Sequence, residues 1–420
     1  MTHQPTSRTG PSRRAFLKAG LVAPLGAAAA QTAASQAPID VGNQRQLFLD
    51  DLWFDPNSGT ELVMQTPRLE EVMLVRDRPW ESMSLDTPCL VKDGGRFRLW
   101  YRADEGGRTK SSEDASYVCY AESNDCIHWN KPDLGICEYR GSRANNIVYP
   151  PAGIDGVKIK NPSVIIDPNA SSNERYKMLA RTWGGRSTEL VGYLSADGLN
   201  WRPVETNPFL TEGPFDTHNI VLWDDAARNF VAYLRGVDRS SPGPFKGGVR
   251  AVRRSESRDF RRWSKPELVL SRDQDDPLDL HFYTNAGVKC HRAARAYMMF
   301  PMTLYPRRKY PTAPFDGLSD VVFAVSRDGI RWERPFRRPF ISPGPDERNW
   351  TDRNPMMGVG IVETGPAEIS MIAQELLRTD QSRYRRVSLR TDGFVSVRDL
   401  TAAGENSRPR RFDSRAANSS

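Results

Sequence analysis

The apolar runs of this chain are short and come in sets. Near residue 160 the set reads NPSVIID, YKMLART and LVGYLSADGLNWRPV, and further on it reads HNIVLWDD, NFVAYLR and GVRAVRRSESRDFRRW. β-Branched and aromatic residues fill these runs, Gly, Asp and Asn bound them, and no stretch after the N-terminal segment sustains a helical period, so the pattern predicts strands. The last run of each set enters the same turn: SNDCIHW (Ser123–Trp129), SADGLNW (Ser195–Trp201), SRDFRRW (Ser257–Trp263) and SRDGIRW (Ser326–Trp332). Each has Ser, then Asp at +2 and Trp at +6, while RTDGFVS (Arg390–Ser396) keeps only the Asp-Gly pair. The starts at 123, 195, 257, 326 and 390 give a period of about 67, the mark of a repeat architecture. Asp and Gly suit the hairpin between a third and an outermost strand, and the Trp is expected to anchor the outermost strand against the next blade. The prediction is an all-β, five-bladed β-propeller of four-stranded antiparallel blades, at about 84–135, 158–205, 215–270, 281–342 and 352–400. Residues 40–80 are long enough to cover an edge of the disc or help close it, and the pattern does not choose.

The formal charge of +7 shifts the picture less than its size suggests. Arg8, Arg13, Arg14 and Lys18 contribute +4 near the N-terminus, and the tail from Glu405 onward contributes +2, leaving a core near +1. A nucleic-acid partner is therefore not expected, since such domains concentrate basic residues on one surface. The opening SRRAFLK followed by AGLVAPLGAAAA matches a twin-arginine export signal, with Arg13 and Arg14 presented to the export machinery. On that reading residues 1–35 are removed, and the mature protein is periplasmic or extracellular with no stable membrane anchor. Residues 401–420 are polar, charged and without strand pattern, which predicts a disordered tail and no C-terminal β-sandwich. Cys89, Cys119, Cys126, Cys137 and Cys290 lack metal-ligand spacing; buried thiols are the expectation, and neither metal nor cofactor is called for.

Topology then says where chemistry belongs. In a meandering blade the innermost strand starts on the face at which the second strand ends, so both kinds of position from every blade converge on one axial pocket. Strand starts supply Asp86, Asn161, Asp216, His218, Asp279, His281 and Asp352; strand ends supply Arg102, Arg181, Trp183, Arg235 and Glu375. Asp86, Asp216, Asp352 and Glu375 are the candidate catalytic carboxylates. Asn161, Arg102, Arg181, Trp183, His218, Arg235, Asp279 and His281 are the candidate substrate-binding residues. Two carboxyl groups across a cleft can split a glycosidic bond, one protonating the leaving oxygen and the other attacking the anomeric carbon or activating water. The aromatics Trp80, Trp183 and Tyr283 are candidates for stacking on sugar rings, and Asp275, Asp276 and Asp279 read as an exposed acidic loop.

DTPCLVKDGGRFRLWYRA (Asp86–Ala103), the NPSVIIDP and DTHNIVLWDD starts and the Ser-x-Asp-Gly hairpins resemble the five-bladed propeller glycoside hydrolases of families 32, 43 and 62. QLFLDDLWF (Gln46–Phe54), IHWNKPDLGICEYRGSRANNIV and KPELVL are similar to an exported bacterial branch of that superfamily. The resemblance spans about residues 42–400. It implies an oligo- or polysaccharide substrate and a nucleophile or base at Asp86. Where families 32 and 43 carry a second Asp this chain has Asn161, and where they carry the acid Glu it has Asp216. A non-catalytic, glycan-binding propeller is the alternative those departures imply. A sialidase-like reading is weaker, because it requires six blades.

Overall fold

The computed structural model describes residues 43, 45–53, 59–106, 113–154, 156–185, 188–242, 247–313, 316–377 and 379–400. The expectations for an export signal over 1–35 and a disordered tail over 401–420 lie outside these residues. The regular structure of the described residues is almost entirely strand, arranged as five antiparallel blades about one axis.

Blade one runs in order through Ser84–Asp93, Arg96–Gly106, Glu113–Ser123 and Ile147–Tyr149. Its fourth strand lies beyond residue 135, after a long excursion that also bridges Glu122 to Asn130. Blade two consists of Ile159–Ile166, Tyr176–Thr182, Leu190–Ser195 and Arg202–Pro203. Blade three consists of Ile220–Asp224, Asn229–Asp238, Val249–Ser257 and Glu267–Leu270. In blade four the inner strand comes in two pieces, His281–Phe282 and Val288–Lys289, which pair with Thr303–Leu304 and Tyr297–Met299. Ala324–Ser326 is its third strand, with Glu333 bridged to Val325 outside it.

Blade five closes the ring. Met356–Met357 and Val362–Gly365 form its inside edge, followed by Glu368–Glu375 and Arg383–Arg390. Its outermost strand is Arg68–Val75, from the other end of the chain, paired antiparallel to Arg383–Arg390. Thr60–Met64 pairs with Val395–Asp399, the strand that leaves the worn fifth turn. The N-terminal segment therefore both covers an edge and completes a blade. Arg386 reaches Glu71 across this seam at 2.5 Å and Glu368 within blade five at 2.8 Å. On its inner side, blade five meets blade one through main-chain bonds from Leu90 to Val359 (2.8 Å) and from Val359 to Pro88 (2.9 Å).

Blade faces pack on both sides, which explains why the strands read as continuous apolar runs instead of alternating ones. In LWYRA, Trp100 and Tyr101 are both fully buried, facing opposite neighbours. Trp100 donates its Nε1–H to the Gly198 carbonyl of blade two at 2.7 Å, and Tyr101 packs edge-on against Tyr384 of blade five at 6.0 Å.

The repeated turns share one hydrogen-bond plan. In SRDGIRW the Ser326 hydroxyl accepts from the Gly329 N–H (2.8 Å), and the Asp328 carboxylate accepts from the N–H groups of Ile330 (2.9 Å) and Arg331 (2.8 Å). The turns at Ser123, Ser195 and Ser257 reproduce the carboxylate bonds at 2.8 Å each. Residue +3 is left-handed in all four: Gly198 (φ 77) and Gly329 (φ 72) adopt this freely, whereas Cys126 (φ 66) and Phe260 (φ 61) do so under strain. Its carbonyl is then aimed outward, to Trp100 at Gly198 and to the Tyr233 hydroxyl at Gly329 (2.8 Å). At the first and fourth of these turns the Trp at +6 does not reach forward to the next blade. Trp129 and Trp332 turn back to the carbonyls of Cys126 (3.1 Å) and Gly329 (3.2 Å), and Trp332 packs on Tyr233 of the preceding blade.

All five cysteines are buried free thiols. The DQDDPLD acidic stretch is not uniformly exposed: Asp276 is buried and paired with Arg334, and Arg337 joins it at 3.3 Å.

Candidate functional site

The inner strands begin with backbone irregularities. The register slips between Asp86 and Cys89 in blade one and between Lys160 and Ser163 in blade two. Thr87 (φ 47), Asn161 (φ 57), Ala286 (φ 41) and Arg353 (φ 72) all take left-handed conformations at blade starts. These irregularities turn single side chains toward the axis, those of Asn161 and Arg353 among them.

The side chains so turned enclose a cavity of about 110 Å³. Asp86 and Arg102 come from blade one, Asn161 and Arg181 from blade two, and Asp216 and Thr217 from the approach to blade three. Tyr283, Met302, Arg353, Met356 and Leu377 complete the wall. Arg102 sits at the centre of the network. Its Nε–H goes to Asp104 at 2.8 Å, while Nη1–H reaches Asp86 at 3.2 Å and the Asn161 amide oxygen at 3.1 Å. Asn161 in turn donates to the main-chain oxygen of Asp216 at 2.9 Å. Arg235 binds one Asp216 carboxylate oxygen at 2.6 Å, and Arg181 approaches the other at 3.5 Å.

The two cavity carboxyls are pushed in opposite directions. Burial raises Asp86 above the ordinary 3.8, and Arg102 does not fully offset it. Burial acts the same way on Asp216, but Arg235 and Arg181 outweigh it and hold that carboxyl below 3.8. Behind the wall, Lys160 is almost fully buried over the Trp183 ring at 4.0 Å, and burial, reinforced by Arg102, brings it down to about 7.

Topology predicts four carboxylates around one cavity, and two of them line it. Glu375 does not, because neighbouring strand residues face opposite ways. Gln374 accepts from the Thr87 N–H at 3.2 Å, whereas Glu375 is clamped by Arg383 and Arg385 at 2.8 Å each. Asp352 yields its wall position to the left-handed Arg353 and lies 3.6 Å from that guanidinium. Among the predicted binding residues, Asn161, Arg102 and Arg181 line the cavity, and Arg235 supports it through Asp216. Trp183 underlies Lys160. His218 is wholly buried, and desolvation brings it down to about 4, so its ring is neutral. His281 accepts the Arg250 N–H at 3.1 Å and is likewise lowered to about 4, first by burial and then by Arg250. Asp279 is occupied with Arg308 at 3.3 Å. Trp80 is buried and bonded to Asn146 at 3.0 Å, which leaves Tyr283 as the aromatic of the three that lines the cavity.

Sequence reasoning missed Arg353 and Lys160, each adjacent in sequence to a named residue. The signal was there in DRNP and KNP, whose prolines come two and one positions after the turned Arg353 and Asn161, but nothing local says which side chain faces inward.

A hollow of about 660 Å³ at the opposite ends of the inner strands, among Leu90, Val164, Val221, Val288 and Val359, is apolar. Its rim acids Asp225 and Glu363 are paired with Lys289 and Arg292, so it offers no comparable chemistry.

No family model matches the chain. Among solved structures, one named "Glycoside hydrolase" aligns over 77% of this chain and 92% of its own, with a TM-score of 0.51 and 12% identity. An N-acetylgalactosamine deacetylase from F. plautii, in complex with blood group B trisaccharide, aligns over 78% of this chain and 95% of its own, with a TM-score of 0.51 and 14% identity. At such identities the likeness establishes the fold: the chain is a five-bladed β-propeller of the kind found in glycoside hydrolases and in that deacetylase. Two curated Mycobacterium tuberculosis proteins, "Uncharacterized protein MT1551" and "Uncharacterized protein Rv1502", are 25% identical over 158 residues, 36% of this chain. The chain spans about half the length of these curated relatives, 47%.

Proposed function

We propose that this chain is an exported carbohydrate-active enzyme that hydrolyses a glycosidic bond, with Asp86 and Asp216 as its two carboxylates. The observation that carries the reading is their convergence, from blades one and three, on one axial cavity with opposed electrostatic environments. Paired carboxyls whose surroundings push their proton affinities apart are suited to divided acid and base roles. Asp86, buried and raised, is placed to hold the proton given to the leaving oxygen; Asp216, kept ionised by Arg235 and Arg181, is placed to act on water or on the anomeric carbon. That order is the reverse of what the family resemblance implies. Asn161 joins Arg102 to the main chain of Asp216 and offers an amide to a sugar hydroxyl, and Tyr283 offers a ring face. The cavity is well below the roughly 300–1,000 Å³ of typical ligand clefts, which favours a single terminal sugar over an internal segment. Export rests on Arg13 and Arg14 in the N-terminal motif.

A non-catalytic glycan-binding propeller is favoured by one observation, that both carboxylates are already ion-paired, Asp86 with Arg102 and Asp216 with Arg235. A glycan panel incubated with the full chain and with Asp86→Asn and Asp216→Asn separates the two. Products released by the wild type and lost in both variants support hydrolysis. Saturable calorimetric binding without product after long incubation supports the second reading.

A further inference from the structure

The axial cavity holds more cation than its own carboxylates engage. Arg102 is spent on Asp104, Asp86 and Asn161, and Arg235 is spent on Asp216 at 2.6 Å. Arg181 and Arg353, which both line the cavity, are held loosely. Arg181 meets Asp216 at 3.5 Å and the Thr182 carbonyl at 3.4 Å; Arg353 meets its neighbour Asp352 at 3.6 Å. The Nε–H of each is buried without a hydrogen-bond partner among the described residues. A guanidinium presents five N–H donors in a flat fork, and a buried N–H left without a partner is costly, while the 38% exposure of the Arg353 side chain leaves its fork open to a ligand. Two more guanidiniums lie close behind the wall: those of Arg235 and Arg250 are 5.6 and 5.0 Å from the Tyr283 ring, beside Arg353 at 5.8 Å. Among the described residues the carboxylates of the wall itself are Asp86 and Asp216, with Asp104 and Asp352 beside Arg102 and Arg353. Burial, and after it Arg102, lowers Arg181 from its ordinary value, as expected of a cation short of counter-charge.

We propose that the cavity selects a sugar carrying an anionic group, a carboxylate or a sulfate ester, bound through the forks of Arg181 and Arg353. The proposal rests on the carbohydrate reading above and names its substrate class. Guanidinium forks match planar, two-oxygen anions, and a compact ammonium in the same place does not. An anionic ring would supply the missing partner for both arginines without disturbing the Arg102 network.

Calorimetric titration of the full chain tests it, with glucuronate, galacturonate and mannuronate against the matching neutral hexoses and a galactose 6-sulfate arm. At low salt at least one anionic probe is expected to bind tenfold or more tighter than its neutral partner. The carboxylate and sulfate arms then tell which anion is meant. The preference should shrink as salt rises, because screening weakens a charge-based contact. In Arg353→Gln, and separately in Arg181→Lys, the anionic-over-neutral ratio is expected to fall at least fivefold, with circular dichroism confirming the fold. Neutral hexoses binding as tightly as their acids overturn the proposal, as does a ratio that neither variant moves or failure of every anionic probe to bind. Anionic binding without turnover keeps this inference and removes the hydrolytic reading, whereas turnover of neutral glycosides alone does the reverse.

Discussion

Replacing Asp328 by Asn isolates the charge in the repeated turn. The Asn oxygen can still accept from the main-chain N–H groups of Ile330 and Arg331, so the shape survives, while the negative charge and the bond it receives from the Arg331 guanidinium at 2.8 Å are lost. Burial opposes that charge, but the N–H groups of Arg331 and Ile330 outweigh it and hold the carboxyl down to about 2, against an ordinary 3.8. A depression of that size corresponds to roughly 2.5 kcal/mol by linkage. The side chain is 33% exposed, and solvent screening reduces the figure to about 1 kcal/mol. Because the folded value is the lower one, the stabilisation is complete above about pH 4 and disappears as pH falls through about 2. Urea midpoints followed by tryptophan fluorescence at pH 7, 4 and 2 measure it. The wild type should exceed Asp328→Asn by about 1 kcal/mol at pH 7, with the gap closing by pH 2. A gap of equal size at both ends of the range refutes the charge argument, and no gap at pH 7 refutes the role of the turn.

Other outcomes follow from the same structure. On whatever glycoside the panel identifies, activity should rise as Asp216 ionises, below 3.8, and fall as Asp86 loses its proton, above 3.8. Asp86→Asn should lower kcat by about 10²–10⁴ and abolish the alkaline limb of the pH profile; a limb that persists assigns the acid elsewhere. Tyr233→Phe removes one of the two donors to the Gly329 carbonyl, leaving the Trp332 indole, and should cost about 0.5–1.5 kcal/mol in chemical denaturation. Glu71→Lys sets like charge against Arg386 across the ring-closing seam, exposes the blade-five edge when that strand opens, and should show as faster proteolysis within residues 59–80. Burial pushes Cys89 and Cys126 up to about 12, so a thiol reagent at pH 8 should label neither in the native protein and both after denaturation.

The blade count and the strand order within a blade were legible in the chain because both are local. Ser, Asp and a left-handed third residue fold the same turn wherever they occur, and strands joined by short turns pair with their neighbours. The same reasoning, carried to the strand starts and ends, brought Asp86, Arg102, Asn161, Arg181 and Asp216 to one axis. It failed where a single step along the strand decides the facing: Glu375 turned to Arg383 while Gln374 turned inward, and Arg353 took the wall in place of Asp352. Ring closure was equally out of reach, since Arg68–Val75 pairs with residues some three hundred positions away. Sequence by itself thus determined the repeating unit and the chemistry available at its ends. Only the closed ring decided which of those groups meet, because a bulge turns individual side chains and long-range pairing fixes what they face.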